Sequence, residues 1–178
     1  SSTMPHALIR KANGTFSFEK IPYTERTCGN DESNTLPSFI GNPITDIFVH
    51  RARLCFLSGE NCILSSSNDI YSFTKETTLT ELDTDPIDTP ASNKETANLR
   101  YAVPYNKELI LFSRKFQHSL EGGTILNNKT ASISIVTAYE CSEYAKPASA
   151  GNNIFFTYEK GDFTGLREFY VNLSQVMD

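Results

Sequence analysis

Arg53–Leu64, RLCFLSGENCIL, is the stretch whose reading decides the fold. Two apolar runs, Leu54–Leu57 and Cys62–Leu64, flank the pair Gly59-Glu60. Glycine in the first central position suits a two-residue type II′ turn, because it takes a positive φ with no Cβ clash. Such a turn sets Leu57 opposite Cys62, Phe56 opposite Ile63 and Cys55 opposite Leu64. A Cys55–Cys62 bridge would need a one-residue slip that turns one strand's faces over, so none is expected.

The same design returns as ELILFSRKFQHSLEGG from Glu108 and as NIFFTYEKGDFTGLREFYV from Asn153. Each unit is an apolar strand, a tight polar turn and a second strand with alternating apolar residues. Their aligned starts, Leu54, Leu109 and Ile154, lie 55 and 45 residues apart. Spacings of roughly 40–50 residues with several short strands match propeller blades. The expected fold is therefore all-β and mainly antiparallel, with propeller-like blades forming an arc or partial β-propeller. A β-sandwich whose hairpins merely look alike is the alternative. Three blades leave a ring open, because closure takes at least ~4. Residues 1–178 thus read as a single β-rich region of a longer polypeptide: an N-terminal hairpin and loop over 1–43, then blade-like repeats over 44–178 starting near 53, 108 and 153.

Outward from these repeats, Ala7–Arg10, Asn13-Gly14 and Thr15–Lys20 predict a hairpin with a type I′ turn, with Phe16 and Phe18 on one face. Cys28–Gly41 has a loop composition. Further strands are expected at Ile44–His50, Ile70–Phe73, Phe116–Leu120, Ile133–Tyr139 and Leu166–Val171. Ser92-Asn93-Lys94-Glu95 has the form of a capping box opening a short helix that Pro104 would end by about Val103. At most one or two short helices are anticipated.

The chain has 178 residues, enough for one domain. It contains no apolar run near the ~18–20 residues of a membrane-spanning helix, and Ser1–Arg10 lacks the basic start and apolar stretch of a signal peptide. No integral membrane association is expected. Sixteen basic against 21 acidic residues give a net charge of −5. That balance disfavours a protein that grips DNA, although it suits one that DNA passes without binding.

Few residues suggest chemistry. Cys28, Cys55, Cys62 and Cys141 contain no C-x-x-C pair and read as free thiols, mostly buried. His6, His50 and His118 are far apart, and nothing in the sequence pairs them into a metal site. Asp83, Asp85 and Asp88 in LDTDPID form the sharpest acidic cluster. Counted from Asp83, an EF-hand would need Gly at the sixth position and Glu at the twelfth; Asp88 and Lys94 stand there instead. A rigid turn with Asp side chains capping backbone amides is the favoured reading, ahead of a cation site or catalysis. Glu121-Gly122-Gly123 reads as a hairpin turn, and the sequons at Asn13, Asn128 and Asn172 have plain turn or strand-end readings. Arg51 and Arg53 are expected to point to the same side of a strand, toward solvent or a partner's carboxylates. No catalytic residue, cofactor-binding residue, metal ligand or cofactor is assigned.

Eight motifs then stand in order: MPHAL (Met4–Leu8), GTFSF (Gly14–Phe18), PSFIG (Pro37–Gly41), RLCFLSGEN (Arg53–Asn61), LDTDPID (Leu82–Asp88), AVPYNKELILFS (Ala102–Ser113), NKT (Asn128–Thr130) and GDFTGLREFYV (Gly161–Val171). This series resembles the tail tubular protein B, or tail nozzle, family of short-tailed bacteriophages. The resemblance implies a non-enzymatic virion tail component, made and assembled in the host cytoplasm. Such proteins form a ring of six copies below the tail adaptor, contact tail fibres, and enclose the channel through which DNA leaves without specific binding. The resemblance further implies that this chain is the central part of a subunit with a propeller-like region. The readings held against it are a glycan-binding or glycan-cleaving β module and an interaction domain unrelated to phage.

Overall fold

Pleated apolar runs broken by glycine-led turns fold the chain into antiparallel strands throughout residues 4–92, 95–105 and 108–170, the part described by the computed structural model. No helix occurs among the described residues. The chain opens with a hairpin, β1 (His6–Arg10) and β2 (Phe16–Lys20). Its turn is not type I′. Gly14 is left-handed (φ +83°), but Asn13 is not; Gly14 N–H donates to Lys11 O (3.0 Å) and Lys11 N–H to Thr15 O (2.8 Å). That is a three-residue hairpin loop with a glycine bulge. Asn13 Oδ1 accepts from Thr15 N–H (3.1 Å) and Oγ1 (2.7 Å), a local bond that holds the asparagine short of the left-handed region.

Three larger sheets follow, each with its strands side by side in chain order. The first contains β3 (Ile44–His50), β4 (Arg53–Ser58), β5 (Asn61–Leu64) and β6 (Ile87–Pro90). The second contains β7 (Leu99–Tyr105), β8 (Glu108–Ser113), β9 (Gln117–Glu121) and β10 (Ser132–Thr137). The third contains β11 (Ala148–Ala150), β12 (Asn153–Lys160) and β13 (Phe163–Phe169). Across the β4–β5 turn Leu57 faces Cys62, Phe56 faces Ile63 and Cys55 faces Leu64, with Gly59 at φ +57°, as the two-residue turn requires.

The three sheets stack face to face. Cys55, Leu57, Cys62 and Leu64 of the first interdigitate with Leu109, Leu111, Leu120 and Ile133 of the second. On its other face the second sheet sets Val103, Tyr105, Ile110 and Phe112 against Ile154, Phe156 and Phe169 of the third. The outer face of the first sheet is covered by loops, through Phe39, Phe56, Ile63 and Phe73 with Met4, Tyr23 and Ile40. Leu54, Leu109 and Ile154 each stand second in the second strand of their sheet, and each packs toward the layer before it in the chain. The three starts are thus equivalent in position, an arrangement consistent with blade-like sheets or with a sandwich.

Several local expectations fail. Ile70–Phe73 is not a strand. Asp69 Oδ1 caps Tyr71 N–H (2.9 Å) and Asp69 O accepts from Ser72 N–H (3.0 Å), making a turn that drops Phe73 between Phe39 and Phe56. Asn93 and Lys94 of the capping box lie outside the described residues, but Leu99–Val103, assigned to its helix, is strand. Leu99 N–H donates to Gly59 O (2.7 Å), and Pro104 is accommodated because β7 is an edge strand. Glu121 ends β9, and Gly122 and Gly123 open a ten-residue connection (122–131) instead of a tight turn.

Arg51 and Arg53 do not share a strand face either. Arg51 (φ 49°) and Ala52 (φ 60°) are themselves the two-residue turn between β3 and β4. Both sit in a conformation that costs a residue bearing a Cβ about 1–2 kcal/mol. Ala52 is exposed, so Ala52→Gly is expected to raise stability by about 0.5–1 kcal/mol after the added freedom of the unfolded chain is deducted. The check is a higher urea midpoint at unchanged m-value.

Candidate functional site

Arg53 is the charged residue that begins the most apolar strand, and it is 2 % exposed. Its guanidinium spans the gap to the acidic turn. Nη1 donates to the carbonyls of Ser65 (2.7 Å), Asp85 (2.7 Å) and Thr84 (3.4 Å), and Nη2 to those of Asp83 (2.8 Å) and Leu126 (3.2 Å). A planar fork with five N–H donors can tie together loop carbonyls that no strand pairs. Burial pushes the guanidinium's pKa down, opposed by the neighbouring Cys55 and Asp85.

The three carboxylates of the acidic turn go to separate tasks. Asp83 Oδ1 accepts from Asn127 Nδ2 (2.6 Å), and Asp85 Oδ2 accepts from Leu82 N–H (2.9 Å). Asp88 accepts from Ser38 N–H (2.8 Å), Ser38 Oγ (2.9 Å) and Asn61 Nδ2 (2.6 Å). They cap and tether loops, as the turn reading holds. No group of three His, Cys, Asp or Glu among the described residues could hold a metal ion.

The histidines remain apart. His6 stacks on Phe18 (5.0 Å between centroids, 11°) and its Nδ1 lies 3.0 Å from Met4 O. His50 ends β3, where burial and the adjacent Arg51 lower its pKa. His118 is fully buried in β9; desolvation lowers its pKa against a hydrogen bond to Leu111 that raises it. A histidine whose folded pKa is depressed resists a proton that the unfolded chain accepts. Its contribution is therefore complete above the unfolded value of about 6.5 and is lost as pH falls toward the folded value. Urea midpoints are expected to decline from pH 7 to 5, and His118→Asn and His50→Asn each to flatten part of that slope.

The cysteines are free thiols. Burial pushes Cys55 up to about 12 and Cys141 up to about 11, and raises Cys62 as well, so all three stay protonated and inert as nucleophiles. Of the sequons, Asn13 works within its turn, Asn128 Nδ2 donates to Pro86 O (2.9 Å), and Asn172 lies outside the described residues.

Polar clasps run where the first strands of the sheets meet. Asp46 of β3 accepts from Ala102 N–H of β7 (2.9 Å) and from Lys146 Nζ (2.6 Å), just ahead of β11. Thr45 Oγ1 donates to Leu99 O (2.8 Å), and Arg100 pairs with Glu143 (3.0 Å). Each clasp locks one sheet's lateral position on the next. Large apolar side chains stay exposed at the two ends of the stack: Leu8, Phe16 and Phe18 on the hairpin, and Phe163, Leu166 and Tyr170 on and after β13. Beside the hairpin base an open groove of about 430 Å³ runs among Met4, Tyr23, Leu36, Ile40 and Tyr71. These features fix a shape and leave apolar surface open at both ends of it.

Residues 1–178 match the sequence pattern of the bacteriophage nozzle protein over their whole length. The chain belongs to the bacteriophage nozzle protein family. It is similar to the tail tubular protein gp12 of Escherichia phage T7, with 37 % identity over 168 residues, covering 94 % of this chain and 21 % of that relative. The chain therefore spans about a fifth of the length of the curated relative it matches. For a nozzle-family chain, the residues that tie most loops and sheets together are Arg53 and Asp46; sequence reading expected Arg53 on a solvent- or partner-facing side of a strand and assigned no role to Asp46. The one available signal was their type: a lone Arg opening RLCFL, and a lone Asp inside ITDIFVH, both in otherwise apolar or neutral strands.

Proposed function

We propose that this chain is a structural segment of a phage tail nozzle, non-enzymatic, working by shape and through protein–protein interfaces. Nozzle-family membership supports the structural tail role. The observation that carries the reading is how the buried Arg53 and Asp85 and the half-buried Asp46 are used: they bond backbone and neighbouring loops, and so stiffen a stack of sheets. In this reading the chain is one β-rich region of a longer subunit, and its sheets are consecutive blades of a propeller. Copies of the full subunit form a ring in the virion tail, between a tail adaptor and tail fibres, after assembly in the host cytoplasm and with no integral membrane association. DNA leaves through the ring without specific binding. Net negative charge suits such a wall, since bound phosphates are held by Lys and Arg.

Electron microscopy of the full-length protein tests the ring. Particles with a central hole wide enough for duplex DNA are expected; assemblies lacking a lumen overturn the conduit role. A lumen-lining Asp or Glu changed to Lys is expected to slow genome ejection in proportion to the number of charges reversed. An ejection rate unaffected by such a change would remove the electrostatic argument while leaving the ring intact.

A further inference from the structure

We propose that the open edge of β13 is the pairing site for a fourth antiparallel strand, supplied by the same nozzle polypeptide downstream of this region. The contrast with the other sheet edges carries the inference. Of the six edges of the three larger sheets, five bear a device that blunts edge pairing. β3, β7 and β10 are interrupted by register shifts, and β7 also holds Pro104. β6 has four residues and ends in Pro90, and β11 has three. β13 has seven residues, an unbroken register from Phe163 to Phe169, and no proline. Its side away from β12 bonds to no described strand or turn. Phe163 (79 % exposed) and Leu166 (67 %) stand along it, while its two charged residues are engaged by neighbours, Arg167 over the Tyr139 and Tyr158 rings and Glu168 accepting from Asn153 Nδ2.

The internal repeat says what fills it. In the first two sheets the third strand follows the second after two or three residues, and the fourth arrives only after a long connection, 65–86 or 122–131. The third sheet has its short connection, Gly161-Asp162, and has no fourth strand among the described residues. Connections of the observed lengths from Phe169 would begin that strand at about residues 180–192, in the range of ordinary to long loops. The matched relative is about four and a half times as long as this chain, so a nozzle polypeptide has length to supply such a strand. Chain continuity favours this donor over a second copy, because every neighbouring strand in the three sheets is the next one in sequence. The inference rests on family membership and not on the conduit role.

Hydrogen exchange on the full-length protein, dilute and monomeric as well as assembled, decides it. In the dilute monomer all of β13 is expected to exchange at least about 100-fold slower than unstructured peptide, whereas edges β6 and β10 keep alternate fast amides. Deleting about residues 180–200, the range of starts plus the length of a strand, is expected to return the outward amides of β13 to fast exchange while β4 and β8 stay slow. Fast outward amides in the intact monomer overturn the proposal. Protection that appears only on assembly also overturns it, and assigns the edge to a second copy. Protection that survives the deletion overturns the named donor.

Discussion

Arg53→Met is expected to cost about 3–5 kcal/mol, among the largest single-residue losses in the chain. Methionine fills much of the space but leaves the carbonyls of the buried Ser65, Asp85 and Leu126, and of the exposed Asp83, with one donor fewer each. Asp85, 2 % exposed, also loses the positive charge of the neighbouring guanidinium. For a chain of this size the melting temperature should fall by about 10 °C. Arg53→Lys keeps the charge but replaces a flat five-donor fork with three donors on one atom, so it should recover less than half of the loss. Thermal and urea unfolding of both variants provide the check. A loss under about 1 kcal/mol for Arg53→Met would mean that the turn at 82–88 holds itself together. Exchange measured on the same variant should rise first in that turn and near Leu126, because those segments have few strand bonds of their own.

The strands that could be read from sequence were those whose partners lie close along the chain. β4 and β5 carry their own instructions: Gly59 supplies the positive φ, a two-residue turn permits one register, and the apolar runs match in length. β8 and β12 were equally legible. β6 and β7 were not, because IDTP and LRYAVPY carry prolines that argue against strand. They are strands only because a neighbouring sheet edge accepts them, which is tertiary information. The turns show the same limit. Asn13-Gly14, a favoured type I′ pair, forms a bulged loop because the Asn13 side chain bonds Thr15. Arg51-Ala52, with no preference for positive φ, takes the two-residue turn because β3 and β4 leave room for nothing else. The candidate site divides likewise. The capping role of LDTDPID followed from residue types, but the guanidinium that reaches it comes from some thirty residues away, and no local pattern announces that distance. The recurrence of the strand pairs was visible because the second strand of each sheet has the same burial demand: alternate residues face the layer before it.

That demand makes Phe112→Ala the second large loss, about 3–5 kcal/mol. Phe112 is fully buried on the face of β8 turned to the third sheet, with the Phe156 ring 5.3 Å away. Its neighbour Leu111 is as buried but faces the first sheet. The pair separates the two interfaces of the stack: Phe112→Ala should speed exchange in β12 and β13, and Leu111→Ala in β4 and β5, at comparable total cost. Phe112→Ala and Phe156→Ala should combine to less than the sum of their separate effects, because each already empties the same contact. Phe112→Leu retains most of the apolar volume and should cost under about 1.5 kcal/mol. Phe18→Ala, on the exposed hairpin, should change the stability of the isolated chain by no more than about 0.5 kcal/mol. Should Phe112→Ala prove as mild as Phe18→Ala, the second and third sheets would not be packed as one body, and a stiff stack could not be the basis of a nozzle wall.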